Sequence, residues 1–113
     1  TNASATFSSR PLFPLDRRHR AELYELRIKP GCEERSQPHA AGTFENLVVA
    51  SGAIEMTVEG VTYPLESGDA IYFNADAAHT YHNPGKTEAV VYLVMTYGQG
   101  EEGREMGLNI PEP

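Results

Sequence analysis

Two stretches of this chain carry side chains whose types could do chemistry. In one, a Gly68-Asp69 turn leads into a short apolar strand and a polar loop, after which His79 opens a second strand. In the other, His39 and Glu45 precede a run of apolar residues. Imidazole and carboxylate groups are ligands for zinc, iron, nickel and manganese, and both groups also hydrogen-bond polar molecules.

The stretch around His79 resembles the second sequence motif of the cupin superfamily. That motif consists of a glycine, a strand, a histidine and an asparagine four residues further on, and Gly68, His79 and Asn83 stand at the matching places. The family's proline and second glycine are absent, and Asn74 and Asp76 stand there instead. Cupins commonly use the histidine as a metal ligand inside a β-barrel, so the resemblance implies that role for His79.

The stretch around Glu45 resembles the first cupin motif in a reduced form. His39, Glu45 and Gly52 fit its spacing, whereas Ala41 stands where the family has a second histidine. The resemblance, which covers roughly residues 21 to 97, therefore implies His39, Glu45 and His79 as metal ligands. Two histidines and a carboxylate with open positions form the facial triad of non-haem iron sites. Many cupins have lost the metal, so two alternatives stay open: a divalent ion (zinc, iron, nickel or manganese) or a metal-free pocket for a polar effector.

The elements that must position these residues are strands. Tyr24, Leu26 and Ile28 alternate with polar residues, which is the period of a half-buried strand. Seven or eight such segments, most of them separated by Gly or Pro turns, favour an all-β sandwich or barrel. The resemblance narrows this to the cupin double-stranded β-helix, a jelly-roll barrel. We expect a linker or N-terminal extension over residues 1–20, the cupin domain over 21–97 and a C-terminal tail over 98–113.

Strand alternation also predicts which side chains face the barrel interior. Glu45 shares a face with Leu47 and Val49, and Tyr81 shares one with His79, whereas His82 points the other way. The interior is expected to draw on Met56, Val58, Tyr63, Phe73, Tyr81, Tyr92 and Val94. The predicted ligand-binding residues are His39, Glu45, Met56, Phe73, His79, Tyr81 and Tyr92.

The composition suits one small acidic domain. The chain has 113 residues and a formal net charge of −7, and its single cysteine, Cys32, excludes an intramolecular disulfide. These features are compatible with a cytoplasmic protein. An acidic domain repels phosphate backbones, so we expect no binding of nucleic acid by this domain itself. No apolar run approaches the roughly 20 residues of a membrane helix, so no membrane partner is expected.

The sequence of the motifs, above all the run from Phe73 to Asn83, resembles that of the C-terminal cupin of bacterial XRE-type helix-turn-helix regulators. The resemblance implies a domain that senses a small-molecule effector and forms a homodimer, while an upstream helix-turn-helix binds DNA. The first residue, Thr1, is not a methionine, which fits a domain separated from such a partner. The alternative is a metal-dependent small cupin enzyme, a non-haem dioxygenase, epoxidase or isomerase. The sequence favours the sensor, because it offers no clear general acid or base beyond the expected ligands, although Tyr81 is a candidate. A storage or structural cupin would leave the ligand residues unexplained.

Overall fold

The computed structural model describes residues 2–3, 7–13, 21–39 and 41–97, and its regular elements are all strands. The predicted all-β class is therefore confirmed. Within the described residues, no helix offers a segment that could span a membrane. The expected C-terminal tail and residues 14–20 of the expected extension lie outside the described residues. The strands are β1 (Asn2–Ala3), β2 (Phe7–Phe13), β3 (Ala21–Ile28), β4 (Glu33–Ser36), β5 (Phe44–Ser51), β6 (Ala53–Val58), β7 (Val61–Glu66), β8 (Ala70–Asn74), β9 (His79–His82) and β10 (Ala89–Thr96).

The strands form two antiparallel sheets that enclose one core. The six-stranded sheet has the order β1-β2-β3-β10-β5-β8, and the four-stranded sheet has the order β4-β9-β6-β7. Strands that are distant in sequence lie side by side, as β3 and β10 do over eight registered pairs from Ala89↔Ile28 to Thr96↔Ala21. This is the two-sheet jelly-roll barrel that the sequence predicts.

Part of the expected N-terminal extension belongs to the six-stranded sheet. β2 pairs with β3 from Phe7↔Ile28 onward, and the Phe7 side chain is buried in the core. Its ring lies 5.9 Å from that of Tyr81 between centroids. Since β1 (Asn2–Ala3) pairs with β2, the chain contributes strands to this sheet from residue 2, and the domain boundary at residue 21 stays a prediction.

Alternate residues of the strands fill the core, as expected for Leu47, Val49 and Met56. Tyr63, which was predicted to face the interior, is instead 42% exposed on β7. Val94 likewise lies on the outer face, because the buried side chains of β10 are those of alternate residues. The buried side chains of that strand are Ala89, Val91, Leu93 and Met95.

Two short features hold the strand ends that frame the site. The predicted tight turn at Glu59-Gly60 is confirmed, with positive φ angles of 51° and 81° that suit a two-residue hairpin. The Asn83 amide is fully buried and donates to the carbonyls of Ile28 at 2.8 Å and Thr87 at 2.9 Å. This motif residue therefore ties the end of β9 to β3 and to the segment before β10.

Candidate functional site

Three elements bring the predicted ligands together inside the barrel. Glu45 lies on the inner face of β5 and His79 on the inner face of β9, and both side chains are fully buried. His39 lies in the loop after β4, where its backbone N–H donates to the Ala75 carbonyl at 2.9 Å. Its side chain is 34% exposed, so the cluster reaches toward solvent on this side.

The three side chains converge on one carboxylate oxygen. Glu45 Oε2 lies 3.3 Å from His79 Nε2 and 3.6 Å from His39 Nε2. The three potential ligand atoms all lie within 4.8 Å of one another. The structure thus assembles the group of residues that the motif resemblance implied.

Two of these atoms have no hydrogen-bond partner among the residues that the structure describes. Glu45 Oε2 and His79 Nε2 are both buried from solvent, yet their contact is not aligned as a hydrogen bond. His79 Nδ1 lies 2.8 Å from the Ala77 carbonyl, which only accepts, so Nδ1 carries a proton and Nε2 is the nitrogen that faces Glu45. An unpaired buried polar atom is costly, which makes these two atoms candidates for binding an ion or a polar molecule.

The donor set fits a divalent metal ion. Ligand distances of about 2.0–2.2 Å place two ligands of one tetrahedral ion roughly 3.3–3.6 Å apart. The spacings of Glu45 Oε2 to His79 Nε2 and to His39 Nε2, 3.3 and 3.6 Å, fall in that range. His79 Nδ1 is held by the Ala77 carbonyl. Histidines that bind metal ions are usually oriented by such a hydrogen bond from the nitrogen that does not bind the metal.

The second oxygen of Glu45 is held by Tyr81. The Tyr81 hydroxyl donates to Glu45 Oε1 at 2.7 Å in a buried contact. Burial raises the pKa of Tyr81 well above its ordinary value, and the charges of Glu45 and Glu34 raise it further. The phenol therefore stays protonated and acts as a fixed donor that leaves Oε2 pointing at the histidines.

The charge of the carboxylate also acts on His79. Burial alone would favour the neutral ring, but the Glu45 carboxylate and the Ala77 carbonyl favour the protonated ring and outweigh burial. The pKa of His79 is consequently raised above its ordinary value of 6.5. His79 and Glu45 are thus electrostatically coupled at the centre of the barrel.

A cavity of about 290 Å³ leads to this cluster. Its wall combines apolar side chains with hydroxyl groups and carboxylates, the mixture typical of a pocket for a small molecule. The described lining residues are Phe7, Ser9, Tyr24, Leu26, Glu34, Ser36, His39, Glu45, Tyr81, Leu93 and Met95.

The other predicted site residues have different places. Phe73 packs its ring at 5.1 Å from that of His79, in an edge-on arrangement, and so supports the cluster from the side. Met56 is fully buried opposite Tyr81 in the β6–β9 register and belongs to the packed core. His82 faces away from His79, as expected, and lies 3.2 Å from Glu55 on the other side of the sheet.

The expected inward orientation of Tyr92 is wrong, and its place in the ligand-binding set stays a prediction. Its ring lies on the outer face of the six-stranded sheet, opposite Val48 and Glu25 in the registers of β10. Its hydroxyl donates to Glu25 Oε2 at 3.1 Å. The error has a physical origin, because seven of the eight residues of β10 are apolar or aromatic. A strand without a polar face gives no indication of which alternate residues point inward.

Sequence reasoning missed the wall residues that β2 and β4 supply. Glu34 and Ser36 come from β4, whose sequence Glu-Glu-Arg-Ser contains no apolar residue and gives no strand signal. Ser9 comes from β2, in the stretch expected to be an extension. Tyr24 and Leu26 share one face of a strand whose alternation the sequence does show. That shared face could have identified Tyr24 as a residue that lines the cavity.

The comparisons with known proteins agree with this architecture. The family model of the cupin domain (Cupin_2) matches residues 24–96. The chain is 30% identical over 86 residues to the HTH-type transcriptional regulator SutR of Escherichia coli K12, an alignment that covers 76% of this chain and 48% of SutR.

Two solved structures of regulators are similar as well. The Cupin_2 domain of an XRE family transcriptional regulator from Enterobacter cloacae has a TM-score of 0.79 and 29% identity, covering 81% of this chain and 97% of that one. An HTH_3 family transcriptional regulator from Vibrio cholerae has a TM-score of 0.77 and 25% identity, covering 81% of this chain and 51% of that one. The chain thus spans about half the length of SutR and of the Vibrio regulator. It belongs to the cupin family and is related to the cupin domains of helix-turn-helix transcriptional regulators.

Proposed function

We propose that this cupin domain senses a small-molecule effector and dimerises within a cytoplasmic bacterial transcriptional regulator. The relatives support the class of protein, since SutR and the Vibrio protein are transcriptional regulators about twice as long as the part that this chain matches. The observation that carries the sensing role is Glu45, which lines a cavity of about 290 Å³ and whose buried Oε2 atom has no hydrogen-bond partner among the described residues. Such an atom gains a partner only when something binds.

The same residues would hold a divalent ion if one is present. His39, Glu45 and His79 supply three protein ligands, and Ala41 in place of a fourth would leave positions open for a bound molecule. The ion would supply a Lewis-acidic anchor for an oxygen- or nitrogen-bearing effector. Tyr81 would keep Glu45 oriented in either case through its 2.7 Å hydrogen bond.

The enzyme alternative is favoured by the same triad. It needs an acid or base that can exchange a proton with a substrate. Tyr81 does not fill this role, because its raised pKa and its bond to Glu45 keep it protonated. Glu34 is the remaining carboxylate on the wall. We therefore place the sensor first and keep the metal-dependent enzyme as the second candidate, to be tested by turnover in the presence of each metal.

Dimerisation is supported by the outer face of the six-stranded sheet. A groove of about 440 Å³ lies there, and none of its lining residues is charged: Leu23, Asn46, Leu47, Val48, Ala70, Ile71, Tyr72, Tyr92 and Val94. Tyr72 is 60% exposed and Val48 is 39% exposed at this groove. In a chain of net charge −7, this is a surface where two copies meet without charge repulsion.

The edge of the sheet supports the same arrangement. β8 is the last strand of the six-stranded sheet and pairs only with β5 among the described strands. An antiparallel contact between two β8 edges would be self-complementary about a two-fold axis. It would also place Tyr72 of each copy beside the groove of the other.

Light scattering of the purified chain tests the dimer. We expect the mass of a dimer at tens of micromolar, and a shift toward monomer for Tyr72→Asp. The matched control is Tyr63→Asp, because Tyr63 is similarly exposed at 42% but lies on β7, away from the groove. A wild-type monomer, or equal effects of both variants, contradicts this interface.

A melting-temperature screen of metabolites, with EDTA present, tests the sensing role. A true effector should raise the melting temperature of the wild type and of Glu55→Gln, but not of Glu45→Gln. Glu55 is the matched control because it is 38% exposed beside His82 and does not line the cavity. A library without any hit that depends on Glu45, both with EDTA and with added metal, would remove the sensor proposal.

The isolated domain is not expected to bind DNA. Its net charge of −7 opposes contact with phosphates, and the described residues contain no recognition helix. A mobility-shift titration of the purified chain checks this, and specific binding below micromolar concentration would contradict it.

A further inference from the structure

The described cavity wall carries carboxylates but no lysine or arginine. Glu34 and Glu45 line the cavity, and His39 is the only basic side chain among the described lining residues. His79 lies behind the wall, with its Nε2 atom 3.3 Å from Glu45 Oε2. The cavity therefore offers two carboxylates to a ligand without a lysine or arginine that pairs with them.

The carboxylates of the outer surface, in contrast, form ion pairs with arginine and lysine. Glu25 pairs with Arg10 at 3.0 Å and Arg27 at 3.3 Å, and Glu88 pairs with Arg27 and Lys29. The described arginine and lysine residues that form ion pairs therefore pair with these outer carboxylates. Glu34 and Glu45 are left without a lysine or arginine partner among the described residues.

Burial makes this negative charge costly unless a cation arrives. The Glu45 side chain is fully buried, and its Oε2 atom has no hydrogen-bond partner. Glu34 lies directly opposite Tyr81 in the β4–β9 register. Glu45 also neighbours Tyr81, through the 2.7 Å hydrogen bond from the Tyr81 hydroxyl, so the two carboxylates lie near the same residue of the wall.

The rest of the wall is suited to hydrocarbon. Leu26, Leu93 and Met95 are buried side chains that line the cavity beside Glu45. Among the described lining residues, hydroxyl groups are confined to Ser9, Ser36 and the tyrosines. A molecule that matches this wall has an alkyl part for the apolar side and a positively charged donor for the carboxylates.

We infer that the effector of this domain is a small organic cation, an alkylammonium compound whose N–H group donates to Glu45 Oε2. This rests on the proposed sensing function and specifies the chemical class of its ligand. The ammonium group gives the unpaired oxygen a donor and neutralises the buried charge, while the alkyl chain lies on Leu26, Leu93 and Met95. Glu34 attracts the cation and receives a second donor where the molecule has one. A divalent ion at Glu45 would occupy the same oxygen, so metal and ammonium compete.

Three probes of equal chain length separate charge from shape: pentylamine, pentanol and pentanoate. Titration calorimetry of the 113-residue chain in EDTA should detect pentylamine binding. Pentanol and pentanoate should bind about tenfold more weakly or worse, because a hydrogen bond to a buried charge contributes that much. In buffer without EDTA, added zinc should weaken pentylamine binding increasingly as its concentration rises.

Variants locate the binding. Glu45→Gln should lower the affinity for pentylamine about tenfold or more, and Glu34→Gln by a smaller factor, while Glu55→Gln should leave it unchanged. If Glu45→Gln fails to fold, Glu34→Gln still tests the inference, because it is a conservative change on β4, an edge strand of the four-stranded sheet. Equal binding of pentylamine by wild type and both cavity variants would overturn the inference.

The outcomes also separate this inference from the proposed function. Tighter binding of pentanoate or pentanol than of pentylamine would overturn the cationic class, whereas sensing would stand if that binding depended on Glu45. No binding of pentylamine, together with a Glu45-dependent hit of another charge in the metabolite screen, would likewise overturn the cationic class and leave sensing in place. Failure of both experiments would remove the inference and the sensor together.

Discussion

Glu25 and Glu45 belong to the same sheet, and both are almost inaccessible, with 6% and 0% of their surface exposed. Glu25, on the outer face, accepts from Arg10, Arg27 and the Tyr92 hydroxyl. Glu45, on the inner face, accepts only from the Tyr81 hydroxyl among the described residues, at Oε1, and its Oε2 has no hydrogen-bond partner.

This difference distinguishes a carboxylate with a structural role from one that is able to bind a ligand. A carboxylate whose hydrogen-bonding capacity is filled by the protein contributes to folding and has nothing left to offer a ligand. A buried carboxylate with one oxygen unpaired costs stability in the absence of a ligand, and that cost is returned on binding. In the proposed function the two faces of the six-stranded sheet therefore have different roles: the inner face would bind a small ligand, and the outer face would contact the partner copy.

The largest expected effect compares neighbouring residues on the two faces of β5. Leu47 is 2% exposed and Val48 is 39% exposed. We expect Leu47→Ala to lower the free energy of unfolding by about 2–5 kcal/mol, because it opens a cavity in the core. Val48→Ala should cost less than about 1 kcal/mol, since its side chain lies at the outer groove. Chemical denaturation of both variants measures this, and equal losses would contradict the assigned faces.

A divalent ion should have the next largest effect, and only through the inner face. At a hundredfold excess over its dissociation constant, a bound ion stabilises the fold by about 2.7 kcal/mol. His79→Ala should abolish this, whereas His82→Ala should not, since His82 pairs with Glu55 on the other side of its sheet. Thermal melts with zinc, nickel, manganese and iron(II) measure the effect. If no metal shifts the wild-type melt and the purified protein contains none, the site is metal-free.

Strands with clear alternation could be predicted from the sequence, as β5 shows with Glu45, Leu47 and Val49 inward. Strands without it could not. β4 has no apolar residue, and β10 has almost no polar one, so the first was missed and the inward residues of the second were misassigned at Tyr92. Alternation reports burial of one face only where the two faces differ in polarity.

The site was predicted in part for a related reason. The motif resemblance identified His39, Glu45 and His79, and the structure brings them within 4.8 Å. The backbone bond from His39 to Ala75 that places the loop joins residues far apart in sequence, and no local pattern encodes it. The same holds for Glu34, whose position on the wall depends on the pairing of β4 with β9.

Two tyrosine hydroxyls give a smaller and closely matched comparison. Tyr81→Phe removes the hydrogen bond that holds Glu45, at 2.7 Å in a buried contact. We expect it to cost about 1–3 kcal/mol and to alter ligand or metal affinity. Tyr92→Phe removes one of three donors to Glu25, at 3.1 Å, and should cost about 1 kcal/mol or less. It should leave ligand and metal binding unchanged, and altered binding in Tyr92→Phe would return that residue to the site.

The smallest expected effect is the pH dependence of Glu25. A hydrogen bond from Arg10 lowers the pKa of Glu25 against the opposing effect of burial, and Tyr92 and Arg27 lower it further. A carboxyl group whose pKa is lower in the folded than in the unfolded protein stabilises the fold above the unfolded pKa. That stabilisation is lost as the pH falls through the folded pKa.

The stability difference between wild type and Glu25→Gln should therefore be constant near neutral pH and shrink as the pH falls below about 4.5, the ordinary value. The effect is modest because Arg10 is 58% exposed and its pairing is screened by solvent. Urea denaturation of both proteins at a series of pH values measures the difference. In an Arg10→Ala background the same substitution should lose most of its pH dependence, since the first cause of the lowered pKa is gone. A stability difference that grows on acidification, or that Arg10→Ala leaves unchanged, would contradict the view that Glu25, unlike Glu45, is stabilised by its partners within the protein.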